Sequence, residues 1–75
     1  MKMSDLQDKT IINVNNGKNL GYITDLEINE EGNILSFYAM PKRMIFRLFS
    51  SNKESIFTIK DIKKIGEDVI LVELN

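Results

Sequence analysis

The chain has neither cysteine nor histidine among its 75 residues, and these two absences exclude more than any motif asserts. Without cysteine there is no disulfide framework, no thiolate metal site and no thiol nucleophile. Small secreted domains usually depend on such bridges, so a reducing compartment, the cytoplasm, is the expected location. Without histidine there is no Ser-His-Asp triad, no imidazole ligand and no general base that titrates near neutrality unaided. An enzyme would have to work with carboxylates and lysines alone, so the protein reads as non-enzymatic, with no catalytic, cofactor-binding or metal-binding residue assigned. Long apolar runs are also missing. Stretches such as Val69 to Val72 are far too short to cross a bilayer, and no N-terminal segment has the pattern of a secretory signal.

Net charge is equally scarce. Ten Lys and Arg face eleven Asp and Glu, a formal balance of −1, so bulk electrostatics do not drive the chain onto nucleic acid. The charges are unevenly placed, however. From Met1 to Asn33 the acids Asp5, Asp8, Asp25, Glu27, Glu30 and Glu31 outnumber Lys2, Lys9 and Lys18. From Pro41 to Lys53 there are Lys42, Arg43, Arg47 and Lys53, with no acid. A basic segment inside a neutral chain is a candidate contact surface; the plainer alternative is a solvated loop.

Hydropathy alternation and turn residues supply the fold class. Ser4 and Gln7 have capping-box spacing around a single short helical turn. Thr10 to Val14 is rich in β-branched residues and reads as a first strand, and Asn15-Asn16-Gly17 suits the tight turn after it. Leu20 to Asn29 places Tyr22, Thr24, Leu26 and Ile28 on one side, with Asp25 and Glu27 on the other. Glu30-Glu31-Gly32-Asn33 reads as a solvated hairpin tip, with Gly32 or Asn33 in the left-handed region. Ile34 to Met40 is the more continuously apolar return strand, and the sole proline, Pro41, ends it because it cannot donate to a ladder. Glu54 to Ile59 is the next strand, and Lys60-Asp61 is a bend or one 3-10 turn. Ile62 to Ile65 and Val69 to Leu74 form a last hairpin around Gly66-Glu67-Asp68. Five to six short antiparallel strands without a long helix predict an all-β fold. Such a sheet hides its edges as a small, highly curved β-barrel or as a folded-over sheet. Lys63 and Lys64 are the charges that blunt an exposed strand.

Two stretches resemble a known family. Gly21 to Ile28 with its Gly32-Asn33-Ile34-Leu35 return is similar to the first half of a PRC-barrel domain, and Ile62 to Val72 to its last two strands. The opening Met3 to Lys9 and the insert Pro41 to Phe49 resemble the YlmC/YmxH group of sporulation proteins from spore-forming Firmicutes. The resemblance covers nearly the whole chain and implies one domain over residues 1–75, with a basic and aromatic insert at about 41–53. That group commonly has a Pro-aromatic pair where this chain has Thr58-Ile59, and more glycine in the insert. The resemblance implies an adaptor module that works by protein contact, often dimeric, with a role in sporulation and no cofactor.

The candidate site is therefore Arg43, Met44, Ile45, Phe46, Arg47 and Phe49. Arginine and aromatic side chains are common interface anchors, combining planar hydrogen bonding with large apolar area. Three readings of the cluster stand side by side. Phe46 and Phe49 plug the barrel while the arginines snorkel outward, or the cluster joins two copies into a homodimer, or it holds an unknown protein partner. An RNA- or ribosome-associated module is a further alternative, disfavoured by so few cations. Ile45, Phe46 and Phe49 dipping into lipid as a peripheral membrane adaptor is another.

Overall fold

In the computed structural model the described residues are 1–41 and 54–75. The element order is α1 (Met3–Gln7), β1 (Thr10–Asn13), β2 (Lys18–Ile28), β3 (Ile34–Met40), β4 (Ser55–Phe57), a 3-10 turn (Ile59–Asp61), β5 (Ile62–Ile65) and β6 (Val69–Val72). The six strands lie in the order β4-β3-β2-β1-β6-β5. This is the expected all-β class, with β3 inside the sheet and ending at Pro41. Gly17 and Gly32 occupy the left-handed region in their turns, at φ +70° and +87°. The helical turn at the N-terminus is capped differently from the spacing of Ser4 and Gln7: the Lys2 amide donates to Asp5 Oδ2 at 2.9 Å. So short a helix is not stable alone; Met3 and Leu6 hold it by packing on the core.

One cluster joins strands that a flat sheet would keep apart. Ile11, Ile23, Phe37, Ala39, Phe57, Ile70 and Val72 are all buried and pack together. Four strand spacings separate β4 from β6, about 19 Å in a flat sheet, so Phe57 and Ile70 share a core only because the sheet curls over. Phe37 and Phe57, opposed in the β3–β4 register, stack with ring centroids 5.3 Å apart.

The curl is built into β2. Its first residues pair with β1 and its later ones, from Tyr22, with β3, so one strand serves both halves of the sheet. The change of partner falls at Gly21, which has φ +94°. A Cβ there would lie 1.8 Å from the Met40 carbonyl oxygen, so only glycine lets the end of β3 cross this closely.

Two sequence expectations need correction. Strict alternation along β2 puts Tyr22, Thr24, Leu26 and Ile28 on one side, but the register shifts between Ile23 and Asp25 and again between Glu27 and Ile28. At the first, Thr24 is an extra residue in β2 and turns the side chains beyond it to the other face, whereas at the second the extra residue is Leu35 of β3. Ile23, not Tyr22, is therefore in the core, and Ile28 is 55% exposed. The second correction concerns direction. Among the strand pairs β1–β6 is parallel, Thr10 opposite Val69 through Asn13 opposite Val72, so the sheet is mixed rather than wholly antiparallel. A parallel pair needs a long crossover, and here almost the whole intervening chain provides it.

Candidate interaction surface

The six residues singled out by sequence, Arg43, Met44, Ile45, Phe46, Arg47 and Phe49, lie outside the described residues. The described strands on either side of them, β3 and β4, are in antiparallel register with Ala39 opposite Ser55.

Strands β2, β3 and β4 present an outer face of mixed character. Glu27 pairs with Ser36, Asp25 with Tyr38 and Tyr22 with Met40, and Ile56 stands opposite Tyr38 on the other side. Members of an antiparallel pair project to the same side, so these residues share the face turned away from the core. The acids on it have structural partners. Glu27 Oε1 accepts from Ser36 Oγ at 3.3 Å and from Tyr38 Oη at 3.1 Å, while Asp25 Oδ1 accepts from the Leu26 amide at 2.8 Å. Glu30 and Glu31 are exposed at the hairpin tip, as the sequence led one to expect.

Exposed aliphatic residues gather around this face and its end. Ile28, Ile56 and Ile59 are each more than half exposed, and Ile34 and Leu35 are also exposed. Where the chain leaves β4 and turns into the 3-10 segment, an open groove of about 270 Å³ is lined by Ile34, Leu35, Thr58, Ile59 and Lys60. The turn beside it is held firmly: the Thr58 amide and hydroxyl both donate to Asp61 Oδ2, at 2.8 and 3.2 Å. Sequence reading missed this surface because alternation sets Ile28 on the side of its strand away from Asp25 and Glu27, and Ile56 and Ile59 read as ordinary strand positions. The findable signal was that Ile34, Ile56 and Ile59 are too numerous for the core side of two short strands.

A second concavity is mainly acidic. Met1, Asp5, Asp8, Lys9, Glu67 and Asp68 surround a shallow concavity of about 440 Å³, where Lys9 Nζ donates to the Glu67 carbonyl at 2.6 Å. Among the described residues no three acids, histidines or cysteines are arranged to hold a metal ion, and no helix is long and apolar enough to cross a membrane. Strand β5 is an edge of the sheet, and its Lys63 and Lys64 are exposed. Lys63 also bridges to Glu73 at 3.0 Å.

A second feature escaped sequence reading. Asn13 is 4% exposed and grips the chain beyond β6 at Leu74. Its Nδ2 donates to the Leu74 carbonyl at 3.3 Å, and its Oδ1 accepts from the Leu74 amide at 3.1 Å and the Asn15 amide at 3.1 Å. Asn15 Nδ2 adds a further bond to the Leu74 carbonyl at 2.7 Å. Asparagine carries both a donor and an acceptor on one planar group, so it continues the β1–β6 ladder where the backbones part.

The sequence is similar to known proteins. The PRC-barrel domain model matches residues 1–75. The Bacillus subtilis protein named probable sporulation protein YlmC is 38% identical, over 100% of this chain and 94% of its own length. The uncharacterized protein YmxH of the same organism is 30% identical over 99% of this chain and 89% of its own. An uncharacterized protein of Clostridium acetobutylicum is 34% identical over 89% of this chain and 77% of its own. A curled sheet among the described residues, together with a family match over residues 1–75, leads to one conclusion: the chain belongs to the PRC-barrel domain family.

Proposed function

We propose that this PRC-barrel is a non-enzymatic contact module that self-associates as a homodimer and holds a protein partner. The insert at about 41–53 supplies the anchors Arg43, Met44, Ile45, Phe46, Arg47 and Phe49. The observation that carries the reading is the gathering of exposed aliphatic side chains, Ile34 and Leu35 on β3 and Ile56 on β4, the strands that the insert joins, with Ile28 of β2 and Ile59 of the 3-10 turn also exposed. Apolar patches of this kind, rimmed by polar groups, mark association surfaces. The charge distribution supports it. Residues 42–53 hold four of the ten cations and none of the eleven acids, leaving six cations against eleven acids elsewhere. A basic, aromatic segment on an acidic barrel is complementary to a second copy of itself. The acid excess also disfavours nucleic acid, whose affinity depends on how many phosphates are neutralised.

The stacked pair Phe37 and Phe57 already supplies large rings to the packed cluster, which supports a contact role for Phe46 and Phe49 over a plugging one. The name of the Bacillus relative supports a role connected with sporulation, and the lack of cysteine supports a cytoplasmic one. The test is the mass in solution of the wild type beside a Phe46→Ser, Phe49→Ser variant. A dimer that becomes a folded monomer is the expected result. A variant that unfolds instead would make those rings core residues and send the contact surface elsewhere. RNA binding that weakens steeply with added salt would favour the nucleic-acid alternative.

A further inference from the structure

The β1–β2 turn contains the one Asn-Gly step of the chain, Asn16–Gly17. Such a step is chemically labile because glycine has no side chain to shield its amide nitrogen. Solvent base removes the Gly17 amide proton, and the nitrogen's electron pair attacks Cγ of Asn16. The Cγ–Nδ2 bond then breaks and the nitrogen leaves as ammonia, protonated by water. Water adds to either carbonyl of the cyclic imide, opening it to aspartate or isoaspartate. Water is the only co-reactant.

The native turn opposes the first step at both atoms. The Gly17 N–H donates to the Asn13 carbonyl at 2.7 Å, so the nucleophile is engaged. Asn16 Oδ1 accepts from the Lys18 amide at 2.9 Å, so turning Cγ toward Gly17 would cost a second bond. The acceptor Asn13 is itself buried and tied to Leu74. Shielding from water is not the cause, because Asn16 and Gly17 are exposed. We infer that Asn16 is a deamidation site which the folded turn holds unreactive and which reacts when the turn opens. The native rate is then the open-chain rate multiplied by the fraction of time the turn is open. An isoaspartate there adds a backbone atom to the loop that sets the β1–β2 register, so a reacted chain does not remake the same turn.

The experiment compares the folded protein with the same chain in concentrated urea, both at mildly alkaline pH. Tryptic peptides covering Thr10–Lys18 are fragmented to locate the amide-to-acid mass change. Conversion at Asn16 in urea, at least about tenfold slower in the folded protein, is the expected result. Amide exchange at Gly17 should be slowed in the folded protein as well. Equal rates in the two conditions, conversion first at another asparagine, or unprotected exchange at Gly17 would overturn the inference.

Discussion

Asn13 shows how much one side chain can hold. Its carboxamide meets the Leu74 backbone with a donor and an acceptor at once, inside a site almost closed to water. Replacing it by Asp keeps the acceptor but sets a carboxylate oxygen against the Leu74 carbonyl and buries a charge without a cationic partner. Asn13→Asp should therefore lower stability by about 2 kcal/mol or more, read as a shifted urea midpoint with an unchanged slope. An unchanged midpoint would mean the clamp contributes nothing. The sequence places Asn13 at the end of a β-branched run and says nothing of burial there. Its partner is 61 positions away, and no local pattern signals a bond of that range.

At the scale of elements, β2 decides the shape. It changes partner at Gly21, where a left-handed backbone and the crossing Met40 carbonyl leave no room for a side chain. Gly21→Ala must shift main-chain atoms, not a flexible side chain, and should cost about 2 kcal/mol or more, measurable as a drop in Tm. Gly17→Ala is the useful contrast. It shares the left-handed strain, at φ +70°, but nothing lies within 4 Å of its Cβ, so its cost should be distinctly smaller. A larger loss at Gly17 than at Gly21 would contradict the crossing argument. The strand and turn positions were legible in the sequence because turn residues and β-branched runs are local signals. The bulges were not, since they depend on how β2 must bend to serve two neighbours.

Over the whole molecule, closure comes from β1 against β6, paired in parallel between Thr10 and Val69 and onward to Asn13 and Val72. Nearly the entire chain must be gathered before that contact forms, and the loop entropy is met before the contact repays it. Refolding after denaturant dilution should accordingly fall in roughly the millisecond-to-second range expected of non-local β topologies. Stopped-flow fluorescence from Tyr22 and Tyr38 would track it, and relaxation within microseconds would contradict a closure-limited step.

Local chemistry alone settled the class of this protein: no thiol, no imidazole, short alternating strands, glycine where turns need it, and a segment in which cations and rings collect. Those features act over a few residues, so they can be read from neighbours in the chain. The three-dimensional arrangement alone decided the parallel closure, the bulge that sets both Ile23 and Leu26 toward the core, the grip of Asn13 on Leu74 and the exposed aliphatic cluster around β2 to β4. Each of these depends on which distant strand lies alongside, and that is set by the curl of the sheet around its shared core.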